Sequence, residues 1–176
     1  ATLSEKSQGV TTIVTDKGTI EIADGQTTGT LVIASNNKGD VYVDASELTA
    51  TISSASGGNF EKINIGNATA TAKVTDTETP VTVDLTASIV NEDASDTSYV
   101  FTATLSEKSQ GVTTIVTDKG TITIADGQTT GTLTIASNQT EDVYLDASEL
   151  TATITSATGG NFENLVVGNA SATAKV

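Results

Sequence analysis

The sequence predicts an all-β protein made of tandem immunoglobulin-like antiparallel β-sandwiches, and two observations carry this prediction. First, residues 1–74 recur as residues 103–176 with 13 substitutions, an offset of 102 residues. An offset of that length is the size of a whole small domain and exceeds the 20–50-residue period of solenoid repeats. Second, apolar residues alternate with Thr, Ser or Asp in short stretches such as Thr82–Ile89. This period of two is typical of half-buried strands.

Seven strands are predicted in the second copy, separated by the turn signals Asp-Lys-Gly, Asp-Gly and Gly-Gly. Named A to G, they are Val81–Val90, Ser98–Leu105, Thr113–Val116, Thr121–Ile124, Gly131–Ala136, Leu150–Ser156 and Val166–Val176. Seven short strands in about 100 residues indicate an immunoglobulin-like sandwich, although the chain lacks the Cys and Trp core of antibody domains.

The alignment of the two copies predicts the domain boundaries. The first copy contains no counterpart of residues 78–102. We therefore expect a truncated repeat at residues 1–76, lacking its first strand, and a nearly complete repeat at residues 77–176. Neighbouring identical repeats of a longer parent chain are the expected partners. An open sheet edge frays or recruits strands, so we expect either fraying of residues 1 to about 10 or pairing with a neighbouring molecule. One form of such pairing is a strand-exchanged homodimer in which Val81–Leu105 completes the first repeat of another molecule.

The composition excludes several classes of function. The chain has 22 acidic and 8 basic residues, a net charge of −14, and neither Cys nor His. This charge repels nucleic acid and anionic lipid, and no apolar run is long enough for membrane insertion. Disulfides, thiol chemistry and zinc sites of the Cys/His type are excluded. Oxygen ligands remain, and they suit Ca²⁺.

Alternation of strand direction predicts that the acidic loops share one end of each sandwich. Because Ca²⁺ takes six to eight oxygens from flexible loops, carboxylates gathered there would become ligands instead of repelling each other. The alternative is a solvated acidic surface. The predicted metal ligands are Asp40, Asp44, Asp76, Glu78, Glu92, Asp93, Glu141, Asp142 and Asp146.

Catalysis is not expected from this sequence. It contains no Gly-x-Ser-x-Gly elbow and no His that could act as a general base. Aromatic residues make up 3% of the chain, too few for the stacking platform of a sugar-binding site. The sequence therefore predicts a protein that is not an enzyme.

Four segments carry a resemblance to known families: VNEDAS at Val90–Ser95, YVFTATLSE at Tyr99–Glu107, EDVYLDASELTATITSATGGNF at Glu141–Phe162 and TATAKVTDT at Thr69–Thr77. They resemble Calx-beta domains and, more closely, the extender repeats of giant repetitive RTX-type bacterial biofilm and ice-binding adhesins. The Calx-beta resemblance implies Ca²⁺ ligands at matching positions, namely Glu92, Glu141, Asp142 and Asp146, with Asp40 and Asp44 in the first copy, and Asp76. The first copy departs from this pattern at Gly39, which stands where the second has Glu141.

The adhesin resemblance implies a structural extender, rigidified by Ca²⁺ at domain junctions, that projects a distal ligand-binding tip. It also implies an extracellular location on the surface of a Gram-negative cell that exports the protein by type I secretion. The alternative function is a calcium-dependent binding module that contacts a surface, a glycan or a partner protein directly.

Overall fold

A computed structural model describes residues 1–91, 94, 97–139 and 148–176. Strands and isolated bridges together account for 51% of the described residues. The part described contains no helix long and apolar enough to cross a membrane. The chain divides into two compact units: the first unit holds residues 1–38 and 44–76, and the second holds residues 39–43 and 77–176.

The first unit contains one four-stranded antiparallel sheet. Its strands are β1 (Thr11–Thr15), β2 (Gly18–Ile22), β3 (Ser46–Gly57) and β4 (Thr69–Val74), in the order β2-β1-β3-β4. Ile13 of β1 lies opposite Ile20 of β2 and Ala55 of β3, which gives the sheet one apolar face. A bulge interrupts the β1–β3 register between Val14 and Thr15.

The second unit contains two four-stranded sheets. Its strands are β5 (Pro80–Ala87), β6 (Tyr99–Leu105), β7 (Thr113–Thr117), β8 (Gly120–Ile124), β9 (Thr130–Ile135), β10 (Glu149–Gly159), β11 (Asn164–Val167) and β12 (Ser171–Lys175). One sheet has the order β12-β10-β7-β8 and the other β11-β5-β6-β9. The predicted all-β sandwich class is confirmed, and β5 to β10 correspond to predicted strands A to F.

Predicted strand G was wrong as a single element, because the structure divides it between the two sheets. β11 pairs in parallel with β5, whereas β12 pairs antiparallel with β10. The break is fixed by Asp84, whose Oδ1 accepts the Asn169 N–H at 2.5 Å. A Cβ on Gly168 would lie 2.3 Å from the same oxygen, so a larger residue there would displace the Asp84 carboxylate. Asn169 is held further by its side-chain amide, which donates to the Leu85 carbonyl at 2.8 Å.

The core of the second unit lies between its sheets. Side chains at alternate positions point inward, as the period of two predicts. Fully buried residues are Val81, Val83, Leu85, Phe101 and Ala103 from one sheet and Ile115, Ile122, Ile124, Ala152 and Ala174 from the other. Burial of this apolar surface is the main favourable contribution to folding, and no disulfide adds to it.

The first unit lacks the covering sheet. Thr28–Ile33 matches β9 at every position except Val32, yet it forms no strand: it makes one bridge, between Thr28 and Thr2, and two hydrogen bonds between Gly29 and Ala1. β9 pairs with β6, and only Ala1–Leu3 correspond to β6 in the first unit. Val32 is 90% exposed. A groove of about 350 Å³ remains over the apolar face, lined in part by Ile13, Ile22 and Ile52.

Candidate calcium site

The pairing of β3 with β4 brings two predicted ligands together. Ser46 at the start of β3 lies opposite Val74 at the end of β4. Asp44 precedes Ser46 by two residues, and Asp76 follows Val74 by two residues. The Asp44 N–H donates to Asp76 Oδ2 at 3.0 Å. Both residues are half-buried.

The loop before β3 is organised around Asp44. Its Oδ2 accepts the Lys38 N–H at 2.9 Å, and its carbonyl accepts the side-chain amide of Asn37. The Ser46 hydroxyl in turn donates to Asn37 Oδ1 at 3.0 Å. The backbone carbonyl and carboxylates at this position are the oxygen ligands that Ca²⁺ prefers.

The donors fit Ca²⁺ by chemical type but not by number. Within the described residues, no group of three acidic side chains could hold a metal ion. Asp40 and Glu78 are exposed and belong to the second unit. Asp40 Oδ1 accepts the Tyr42 N–H at 2.9 Å. The other predicted ligands, Glu92, Asp93, Glu141, Asp142 and Asp146, lie outside the described residues, so the complete site stays a prediction.

A comparison with protein families matches the LapA domain twice, at residues 1–77 and at residues 79–176. The chain belongs to the LapA domain family. LapA is a large bacterial surface adhesin involved in biofilm, so membership indicates an adhesin-related role at the cell surface or outside the cell. The adhesin resemblance is confirmed at this level. No curated protein and no solved structure gives a significant match.

Several acidic residues of the LapA domains serve the fold. Asp118 Oδ1 accepts the Thr153 N–H at 2.7 Å, and its Oδ2 lies 2.8 Å from the Lys119 ammonium. Asp126 Oδ1 accepts the Gly111 N–H at 2.7 Å. Asp16 and Asp24 repeat these two arrangements in the first copy. These carboxylates bind backbone N–H groups within the fold, so only some of the acidic side chains are available to bind cations.

Asp118 gives the second LapA domain an acid-sensitive contact. The Lys119 ammonium and then the Thr153 N–H lower the pKa of Asp118 below its ordinary value of 3.8. The ionised Asp118 carboxylate therefore stabilises the folded state above the ordinary pKa. This stabilisation is lost as the pH falls through the lowered pKa. We expect the difference in melting temperature between the wild type and Asp118→Asn to shrink below pH 3.8. Thermal melts between neutral pH and about pH 2 measure it.

A companion variant separates the two causes of this shift. Lys119→Met should raise the pKa of Asp118 toward 3.8 in a carboxyl NMR titration, because it removes the larger cause. The melting temperatures of the wild type and Asp118→Asn could instead differ by the same amount down to about pH 2. That result would contradict the lowered pKa of Asp118.

Sequence reasoning missed a second functional feature, the segment Val41–Val43. Its acidic neighbours indicated a loop that supplies metal ligands, whereas Val41 and Tyr42 pack against the core of the second unit, to which the segment belongs. Val43 N–H donates to the Asn161 carbonyl, and Glu163 N–H donates to the Val41 carbonyl, both at 3.0 Å. The signal available in the sequence was the Val-Tyr pair within an otherwise polar loop.

Tyr42 is the centre of this contact. Its ring stacks on Phe162 with centroids 5.6 Å apart and planes at 22°, and its hydroxyl donates to the Lys108 carbonyl at 2.6 Å. Burial raises the pKa of Tyr42 above its ordinary value of 10.0, and the carboxylates of Glu107 and Asp40 raise it further. The phenol therefore keeps its proton at neutral pH and can donate to Lys108.

Proposed function

We propose that this chain is a structural extender of a large bacterial surface adhesin, which adds length between the cell and a distal ligand-binding tip. The observation that carries the proposal is the LapA domain match to two successive copies, which together span nearly the whole chain. The copies differ at 13 of 74 aligned positions. Near-identical copies add length without adding a new binding specificity.

Calcium is the proposed stiffening agent at the domain junctions. Asp76 lies between the last strand of the first domain and Pro80, the first residue of β5, and it already contacts Asp44. We propose that Glu78 and the acidic loops add the remaining oxygens. Extracellular Ca²⁺ sites bind at about 10⁻⁴–10⁻³ M, so the ion would be taken up after export, which we propose occurs by type I secretion from a Gram-negative cell.

We also propose that the chain has no catalytic function. Its two buried hydroxyl pairs, Ser7 with Thr11 and Ser109 with Thr113, have oxygens 2.6 Å apart and occupy equivalent positions in both copies. In each pair the serine hydroxyl donates to a nearby glycine carbonyl. These contacts account for the hydroxyls as structural groups. The net charge of −14 supports the absence of nucleic-acid and membrane partners.

The strand-exchanged homodimer stays a proposal. The groove of the first unit is lined by Ile13, Ile22 and Ile52, and the equivalent core of the second unit is covered by β5 and β6. A strand with the sequence of Pro80–Ala87 would therefore supply matching apolar side chains.

A display experiment tests the extender role. One, two or four copies of the chain would be placed beneath a tip module of known ligand on bacterial cells. We expect the reach of the tip to grow with copy number in millimolar CaCl₂, because folded copies add length without changing tip affinity. Atomic force microscopy on single cells would measure the reach.

A Gly/Ser linker with the same number of residues is the matched control, since it behaves as a flexible coil and its reach grows only with the square root of length. The chain without a tip should retain neither cells nor glycans. Calcium-dependent retention of either by the chain alone would favour the alternative function, a direct binding module.

A further inference from the structure

The segment Val41–Val43, called the plug here, is supplied by the first copy but belongs to the compact second unit. It lies antiparallel to Asn161–Glu163, called the receptor, through a bridge between Tyr42 and Phe162. Two backbone hydrogen bonds, the ring stack and the Tyr42 hydroxyl bond hold it. Addition of an extended segment to an exposed backbone is a recurrent mode of peptide recognition, in which backbone bonds give affinity and side-chain contacts give specificity.

The receptor loop has the same conformation in both copies. Asn161 has φ of 55° and its counterpart Asn59 has φ of 56°. The Asn161 side-chain amide donates to Gln110 Oε1 at 3.1 Å, and the Asn59 amide donates to Gln8 Oε1 at 3.0 Å. The loop is thus formed in the first unit as well, where Phe60 takes the place of Phe162. A preformed receptor reduces the ordering cost of binding.

The two receptors differ in what covers them. Phe162 is 9% exposed beneath the Tyr42 ring, whereas Phe60 is only half-buried. Glu163 N–H donates to the plug, whereas its counterpart Glu61 N–H has no hydrogen-bond acceptor among the described residues. Among the described residues, therefore, one receptor is filled and a second of the same sequence type is open.

We propose that the plug is a docking element through which one LapA domain binds the receptor of the next domain in the chain. The partner is another copy of the same domain, recognised by a tyrosine that stacks on the receptor phenylalanine and donates to a backbone carbonyl. Covalent connection makes docking intramolecular, so few contacts suffice. The sequence Val-Tyr-Leu-Asp recurs at Val143–Asp146, outside the described residues. The bonds that join the plug to the receptor involve no carboxylate, so they can form without calcium.

Amide hydrogen exchange of the full chain in chelator tests the proposal. The Glu163 N–H should exchange at least about tenfold more slowly than the Glu61 N–H, because only the former is bonded to the plug. Tyr42→Ala should bring the two rates together. Tyr42→Phe, which removes only the hydroxyl bond, should have a smaller effect.

Val32→Ala is the matched control, since Val32 belongs to the same copy and is 90% exposed. It should leave the ratio of the Glu163 and Glu61 rates unchanged. The Ala152 amide, in the core strand β10, reports whether the second unit remains folded in each variant. Equal exchange rates of the Glu163 and Glu61 amides in the wild type would overturn the proposal. So would an unchanged ratio of these two rates in Tyr42→Ala, provided that the Ala152 amide stays protected.

Discussion

Ile122→Ala is expected to lower the free energy of unfolding of the second unit by about 2–5 kcal/mol, the usual cost of truncating a buried Ile. Ile122 is fully buried, lies opposite Ile115 across the β7–β8 pair and faces the second sheet. A domain of this size has a total stability of about 5–15 kcal/mol, so the loss is a large fraction of it. At a slope of about 1.5 kcal/mol/M, the urea midpoint should fall by about 1–3 M.

The chain supplies its own control for this variant. Ile20 occupies the same position in β2 and lies opposite Ile13, but it is only half-buried because no second sheet covers it. Tyrosine fluorescence is the readout, since none of the three tyrosines belongs to the first unit. Ile20→Ala should leave the tyrosine-detected midpoint unchanged. Equal shifts for the two variants would contradict the difference in core formation.

Calcium is expected to raise the melting temperature by on the order of 10–20 °C once the free ion reaches about 100 times its dissociation constant. Binding to the folded loops alone then adds about 2.7 kcal/mol per site, and each kcal/mol raises the melting temperature of a small domain by about 4–8 °C. Without the ion, the carboxylates repel each other across partly screened water. Melting curves in chelator and in a CaCl₂ series measure the effect.

Asp76→Asn is the diagnostic variant, because Asp76 is the carboxylate that contacts Asp44 at the end of β4. It should remove much of the calcium-induced shift. Glu47→Gln is the matched control: Glu47 also lies at the start of β3, where its exposed side chain pairs with Lys73 at 3.1 Å. It should keep the shift. If calcium leaves the melting temperature unchanged, the acidic loops are a solvated surface.

The end of strand G shows where sequence reasoning reached its limit. Alternating apolar residues predicted an extended segment over Val166–Val176, and the segment is extended, as β11 and β12. The pattern could not show that Asp84, 85 residues away in the chain, accepts the Asn169 N–H and divides the segment between two sheets. Periodicity reports which face a residue presents, whereas the pairing partner depends on contacts distant in the sequence.

The candidate site divides in the same way. Residue chemistry alone selected oxygen ligands and therefore Ca²⁺, and strand pairing then brought Asp44 and Asp76 together. Sequence alone gave no means of separating these carboxylates from Asp118, which closes a loop through Thr153 and Lys119. It also left Tyr42 unassigned, because the Phe162 ring that it stacks on lies 120 residues away in the other copy.

The sequence by itself determined the repeat, the strand class and the oxygen-rich chemistry, because these follow from local pattern and composition. Tertiary structure alone decided whether a strand-forming segment becomes a strand. Thr130–Ile135 is β9 beside β6, whereas Thr28–Ile33, different only at Val32, pairs only with Ala1 and Thr2 and forms no strand. A strand needs partners for its backbone N–H and C=O groups and a sheet to bury its apolar face. Those partners come from elsewhere in the fold.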